Sequence, residues 1–220
     1  MTGEWKDLII QTYICSQVDL VPFIPSDVEP DLWKGKAMFS AVAFTFRNVK
    51  MYGVKAFFHQ YFGELNFRCY VKSKIDGTSG VVFIKEYAAK RLIAFVANKI
   101  FGEPFYFYPI SREDKELIKY SFVKDGKKEF IECMKQSQYQ LPKSNSLTSF
   151  IVDRYIAFVK TKKKTSRKYT IVHKPWRVVK IKEVKVSAKI QSLIPIGMAD
   201  FLQDPVSSLL IDGSKFEIYR

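Results

Sequence analysis

The stretch GELNFRCYVKSKIDGTSGVVFIKE, Gly63 to Glu86, constrains this chain more than any other. It reads as a strand, a Gly-containing turn and a second strand. In its first half Glu64, Asn66, Arg68 and Tyr70 fall on alternate positions, with Leu65, Phe67, Cys69 and Val71 between them. A strand sends successive side chains to opposite faces, so one face carries a carboxylate, an amide, a guanidinium and a phenol, and the other is apolar. Two readings of the polar face stay open. It is the wet side of a half-buried antiparallel sheet, the commoner case, or it lines a polar pocket.

The remaining segments surround this hairpin with further strands. Leu8 to Cys15, rich in Ile, Thr and Tyr, reads as an opening strand, and Pro22, Pro25 and Pro30 then interrupt regular structure. MFSAVAFTF, within Ala37 to Phe46, is apolar at both parities, as expected of a central strand covered on both faces. From Arg47 to Phe62 aromatic residues crowd between Gly53 and Gly63, suited either to covering a barrel mouth or to plain core. Between Tyr87 and Phe101 the period changes: Ala88, Leu92, Val96 and Ile100 recur at four-residue steps and Gly102 offers a stop, which predicts the one main helix at about 87–101. PFYFYPI returns to a strand, Asp125-Gly126 marks a hairpin between Lys115–Val123 and Lys128–Met134, and Leu147 to Asp153 reads as a short helix feeding the strand RYIAFV. YTIVHKPW and VVKIKEVKV supply two more strands. The whole predicts a mainly β (α+β) protein, an antiparallel β-barrel or cone in a single domain over 1–220, closed because so many strand edges must be managed.

Composition narrows the function classes. Hydrophobic residues make up 47% of the 220 positions, enough for a large core, while 36 Lys and Arg against 22 Asp and Glu give a net charge of +14. Such a charge makes polyanions plausible partners, and its one concentration is KTKKKTSRK, Lys160 to Lys168, read as an exposed hairpin loop. Cys15, Cys69 and Cys133 are odd in number and widely spaced, with no metal-ligand pattern, which fits a reducing compartment. The N-terminal residues carry Glu4 and Asp7 without a signal-peptide pattern, and no apolar run reaches the length of a membrane span, so the expectation is a cytoplasmic protein. Neither a Gly-rich phosphate loop nor a G-x-S-x-G elbow occurs, which disfavours nucleotide hydrolysis and serine hydrolase chemistry.

GELNFRCYV, then GVVFIKEYAAKRLIAFVANKIFGEPF, then SLTSFIVDRYIAFV, then VHKPW resembles, in order and spacing, the YqjF-like family of bacterial proteins of unknown function. The landmarks of that family are an E-x-N-x-R-x-Y-V strand, a G-V-x-F strand leading into a helix, an E-R-Y element and an H-x-P-W strand. Here Asp153 stands where the E-R-Y landmark usually has Glu. The family resembles a distant branch of the acetoacetate-decarboxylase-like superfamily, whose β-cone encloses a pocket and whose namesake uses a lysine Schiff base. The resemblance thus implies a cavity lined by the Glu64 strand. It does not carry over the reaction, because the G-x-P-K-K segment of the decarboxylases reads Gly102, Glu103, Pro104, Phe105, Tyr106 here, and aromatic side chains cannot form an imine. No cofactor is implied.

Glu64 and Arg68 lie about 13 Å apart along a strand at ~3.3 Å per residue, too far to pair. If buried, each needs another partner, and Asp153 for Arg68 and Arg154 for Glu64 are the candidates. The leading expectation is a binding protein for a small, anionic organic molecule, with Glu64, Asn66, Arg68, Tyr70, Arg154 and Tyr106 as ligand-binding residues. Against it stands a set of ion bridges that only hold the barrel together. His173, in VHKPW, is a candidate acid or base beside Glu64; a histidine packed for structure is the commoner case, and His59 fits that description more closely. Two other functions remain open: binding of nucleic acid or an acidic partner through the basic surface and the 160–168 loop, and an enzyme of the same superfamily using Glu64 as acid or base.

Overall fold

The computed structural model describes residues 1–55, 60–96, 98, 102, 104–124, 126–161, 164–187, 193–194 and 204–219. The chain opens with β1 (Thr2–Cys15), a single helical turn α1 (Gln17–Leu20), β2 (Val28–Pro30), β3 (Ala37–Met51), β4 (Val54–Lys55), β5 (Phe62–Ser73) and β6 (Ser79–Ala88). Helix α2 (Arg91–Val96) leads to β7 (Phe105–Phe107), β8 (Ile110–Asp114), β9 (Leu117–Lys124) and β10 (Lys127–Met134). Helix α3 (Leu147–Val152) is followed by β11 (Ile156–Lys160), β12 (Ser166–His173), β13 (Val178–Lys180), β14 (Val184–Val186) and β15 (Ser207–Tyr219).

Seven strands of the main sheet form a circuit. β5 pairs with β3, β3 with β1, β1 with β15, β15 with β12, β12 with β11, β11 with β6, and β6 returns to β5. The seam between β11 and β6 is parallel, through Ala157 and Val81, while the other six pairings are antiparallel. At this seam Gly80 is required: a Cβ there would lie 2.5 Å from the Ile156 carbonyl oxygen. A second sheet, in the order β14-β10-β9-β8, packs its Ile118, Tyr120, Phe122 and Ile131 in one cluster with Ile9, Phe39, Leu65 and Phe67 of the circuit. The other face of the circuit strands gathers Ile10, Val42, Tyr70, Ala157, Leu209 and Phe216 around Ile151 and Val152 of α3. We refer to this second face as the interior.

Bulges decide which side chains reach it. Asp7 adopts a left-handed φ of 52°, and the β1–β3 register shifts between Lys6 and Ile9. One extra residue in a strand reverses its alternation, so odd-numbered Trp5 joins even-numbered Leu8 and Ile10 on the interior. Opposite Lys6 stands Gly213, with φ of 109°, where a Cβ would collide with the Trp5 carbonyl. In the same way a shift in β5–β6 pairing between Phe67 and Arg68 places Glu86 opposite Asn66 but Phe83 opposite Arg68.

The predicted helix at 87–101 is shorter. Tyr87 and Ala88 are strand, paired with Leu65 and Glu64 of β5, so tertiary pairing overrides their helical spacing; the helix covers Arg91–Val96, and 97 and 99–101 lie outside the described residues. VVKIKEVKV is two strands rather than one: β13 pairs with β15 in the main sheet and β14 with β10 in the second. Within the described residues no helix is long and apolar enough to cross a membrane.

Candidate functional site

β5 is covered on both sides. On its polar face Glu64, Asn66, Arg68 and Tyr70 are 2, 4, 7 and 0% exposed, so the wet-surface reading of this row is corrected: it faces the interior. β3 and β6 flank the strand and shield both edges. Glu86 of β6, opposite Asn66, is buried with them, a second interior carboxylate that the sequence reading did not pick out although the alternation of KEY carries it.

The members of the row are held differently. Asn66 donates from Nδ2 to Glu64 Oε1 at 3.1 Å, while its own Oδ1 is buried without a hydrogen bond among the described residues. Tyr70 is tied across three strands: its hydroxyl lies 2.5 Å from Ser40 Oγ, which lies 2.8 Å from Thr12 Oγ1. Two guanidinium groups lie over its ring, with Arg68 Cζ 5.9 Å and Arg154 Cζ 5.3 Å from the centroid. Arg68 donates from one terminal nitrogen to the Ile151 carbonyl at 3.2 Å, and its Nε has no partner among the described residues.

The pairings expected for the two arginines are corrected. Arg154 meets Asp31 rather than Glu64, at 2.6 Å, with Nε donating to the Phe150 carbonyl at 2.7 Å and the Phe150 ring 4.1 Å away. Asp153, proposed for Arg68, is the exposed C-cap of α3. The reason is the short helix: α3 ends at Val152, so the next two side chains diverge, and Arg154 folds back over the helix toward β2 and Asp31. No carboxylate among the described residues lies within 4.0 Å of Arg68. Tyr106 is not brought into the row. It stands beside Tyr87 in the parallel β6–β7 register, on the opposite face, 50% exposed, with Lys85 Nζ 5.5 Å from its ring. Its neighbour Phe105 packs on the interior side.

His173, at the end of β12, lies in an aromatic cluster. Its ring centroid is 4.5 Å from Trp176, 4.8 Å from Tyr155 and 5.6 Å from Trp5. Trp5 stacks on Phe216 at 4.3 Å. Burial lowers the proton affinity of His173, a hydrogen bond with the Lys174 carbonyl raises it, and the positive charge of Arg68 lowers it further. The balance favours the neutral ring at neutral pH. His173 also lines a groove of about 670 Å³ with Glu4, Lys50, Lys55, Lys174 and Phe216. Trp5 is not a sequence candidate: the opening strand reads from Leu8, whereas β1 begins at Thr2 and its bulge at Asp7 puts Trp5 on the interior face. His59 lies outside the described residues.

Other candidate chemistry is quiet. Burial pushes the thiols of Cys15 and Cys133 up to about 12 and that of Cys69 upward as well, so none is a thiolate at neutral pH. In the basic loop, Lys160 donates to the Pro22 carbonyl and Lys168 pairs with Asp76, while 162 and 163 lie outside the described residues.

Solved structures share this arrangement. An acetoacetate decarboxylase from Legionella pneumophila superposes with a TM-score of 0.66 at 10% identity, covering 98% of this chain and 84% of that one. The enduracididine biosynthesis enzyme MppR, complexed with the condensation product of pyruvate and imidazole 4-carboxaldehyde, gives 0.63 at 10% identity, with 98% and 87% covered. An acetoacetate decarboxylase-like enzyme from Sphingomonas wittichii RW1 gives 0.61 at 12% identity, with 99% and 89% covered. At such identities the likeness establishes the fold, which is acetoacetate-decarboxylase-like. Nothing among curated proteins matches the chain. The family model of DUF2071, described as an uncharacterized conserved protein, matches residues 2–206, and the chain belongs to that family.

Proposed function

We propose that this protein binds a small carboxylate in the interior of the strand circuit, with Arg68 as the anchor of the anionic group. The observation that carries this reading is the state of Arg68. It is buried, no carboxylate among the described residues reaches it, and its Nε is unpartnered there. A buried cation without a counter-charge costs several kcal/mol, and a bound carboxylate offsets that cost through charge-assisted hydrogen bonds. Arg112 and Arg154 offer the contrast, since each meets an aspartate. Asn66, adjacent along the same face, supplies an acceptor through Oδ1. Glu64, Asn66 and Arg68 thus form the ligand-facing row, while Tyr70 and Arg154, whose polar groups are engaged within the fold, position it.

The test is thermal unfolding of the wild-type protein and Arg68→Met against a panel of small carboxylates at about 0.15 M salt, where weak surface attraction is screened. A ligand at a hundred times its Kd adds about 2.7 kcal/mol to the native state. For a chain of this size that is a rise of about 5–11 °C at ~2–4 °C per kcal/mol. We expect at least one carboxylate to raise the wild-type Tm and to leave Arg68→Met unmoved. Equal shifts in both proteins, or no shift in either, overturn the assignment.

A further inference from the structure

The groove at His173 gathers basic residues that are remote in sequence. Lys50, Lys55, Lys174 and Lys215 line it against two carboxylates, Glu4 and Glu217, so with His173 neutral it carries an excess of two positive charges. Glu217 already accepts from the Tyr219 hydroxyl. No carboxylate of the described residues lies within 4.0 Å of any of the four ammonium groups, whereas Lys168 of the basic loop is paired with Asp76.

Strand pairing sets these lysines in two like-charged pairs. β3 turns into β4 through Tyr52 and Gly53, both at positive φ, and the hairpin register puts Lys50 directly opposite Lys55. Residues so placed have Cβ atoms about 4.5–5.5 Å apart on one face, where like charges repel. β12 and β15 run antiparallel with His173 opposite Phe216, so Lys174, one residue past that pair, is level with Lys215, one residue before it. Thr2 of β1 stands opposite both Lys50 and Glu217, which joins the two ends of the groove through neighbouring strands. Lys50 and Lys215 lie on the strands that flank β1, with their backbones about 10 Å or more apart at ~4.8 Å per strand step. Thr2, Asn48 and Gln60 add neutral polar groups to the lining, and Asn48 Oδ1 accepts from Tyr61, which leaves its Nδ2 as a donor.

We propose that this groove binds a small molecule carrying two phosphoryl groups, one held by Lys50 and Lys55 and the other by Lys174 and Lys215. An ammonium group is a compact point charge suited to phosphate, and a phosphoryl group between two lysines turns their repulsion into a shared attraction. Two such groups match the two pairs, whereas a single carboxylate neutralises only half of the excess charge. The volume of about 670 Å³ suits a ligand of sugar-phosphate to nucleotide size. Arg68 does not line this groove, so the site is separate from the carboxylate site and stands independently of it.

Calorimetric titration at a constant ionic strength of about 0.15 M, where diffuse attraction is screened, sets fructose 1,6-bisphosphate against fructose 6-phosphate and pyrophosphate against inorganic phosphate. At least one of the doubly phosphorylated compounds is expected to bind the wild type about tenfold or more tightly than its partner. The double variants Lys50→Gln with Lys55→Gln and Lys174→Gln with Lys215→Gln change exposed residues and should fold. Each should bring the two members of the pair within about twofold of each other. Lys160→Gln with Lys168→Gln in the basic loop, and Arg68→Met in the interior, should leave the preference intact. Equal binding of both members of each pair to the wild type, a preference that survives either groove variant, or its loss in the loop variant or in Arg68→Met overturns the assignment. Tighter binding of an oligothymidylate than of either doubly phosphorylated compound, abolished by the same groove variants, would make the groove a nucleic-acid track and overturn the small-ligand reading as well.

Discussion

Arg68→Met in the absence of any ligand distinguishes a binding residue from a structural one by the sign of its effect. Among the described residues the guanidinium makes one hydrogen bond, to the Ile151 carbonyl at 3.2 Å, worth about 1.5 kcal/mol at the weak end of the charge-assisted range. The Tyr70 face at 5.9 Å adds about 0.5 kcal/mol. Against these stands the cost of burying the cation with no carboxylate of the described residues within 4.0 Å, on the order of 4–5 kcal/mol. Methionine has a stem of similar length, fills the same space and removes the charge, but it leaves the Ile151 carbonyl without its donor, at about 1 kcal/mol. The balance favours the variant by about 1–2 kcal/mol, which is a rise in Tm of about 2–8 °C. An arginine held in a buried ion bridge behaves oppositely, because removing one partner strands the other and costs about 3–5 kcal/mol. Differential scanning calorimetry at neutral pH reads the sign directly. A fall in Tm of 6 °C or more would refute the reasoning and make Arg68 part of the scaffold.

Arg154→Ala should do what Arg68→Met does not: it strands Asp31, whose side chain is partly exposed, and frees the Phe150 carbonyl, so we expect a loss of about 2 kcal/mol by denaturant unfolding. Gly80→Ala forces a Cβ against the Ile156 carbonyl and the Phe158 ring at the β6–β11 seam and should cost about 2–3 kcal/mol, with faster amide exchange in Ile156–Lys160; unchanged stability would mean that the seam is not closed in solution. Gly213→Ala, at a positive φ and against the Trp5 carbonyl, should prevent folding at 37 °C, seen as loss of soluble protein. His173 is held below its ordinary proton affinity, chiefly by burial, so as pH falls through about 6.5 the unfolded chain takes up a proton first and native stability declines. That contribution is complete above about 6.5 and gone below the folded-state value, and the Tm difference between wild type and His173→Phe should therefore change only on the acid side of about pH 6.5.

The alternation of GELNFRCYV fixed which side chains of β5 share a face, and both parities are now seen to be buried. What alternation does not contain is a bulge. One residue inserted at Asp7 turns Trp5 inward, and the shift in β5–β6 pairing sets Phe83 rather than a residue of the Glu86 parity beside Arg68. Both positions look ordinary in the sequence because their conformation is imposed by pairing with a neighbouring strand. β15 was missed altogether, its segment SSLLIDGSKFEIY left unread, and within it Gly213 is the glycine that lets the strand pass the β1 bulge. The ion pairs failed for a related reason. Asp31 is remote in sequence from Arg154, and only the β2–β5 pairing brings its segment alongside. Local spacing offered Asp153 instead.

The distribution of satisfied and unsatisfied polar atoms across β5 argues for where function resides. On the side facing the second sheet, buried polar groups largely find one another: Gln11 takes the Tyr13 hydroxyl, Glu129 takes Ser187, and Arg112 is matched by Asp7 and Asp114. Among the described residues Ser121 Oγ and Arg112 Nε are left over there, a neutral hydroxyl and one atom of a guanidinium already twice paired. On the interior side the unpartnered atoms among the described residues include Trp5 Nε1, Asn66 Oδ1 and Arg68 Nε, and the last belongs to a full charge with no carboxylate of the described residues within 4.0 Å. A fold selected for stability alone gains by replacing that arginine with an apolar residue. Its presence in a strand buried on both faces has a physical rationale if the missing counter-charge arrives with a ligand, and the same strand's outward face, Leu65, Phe67, Cys69 and Val71, supplies the packing that keeps the row in place until it does.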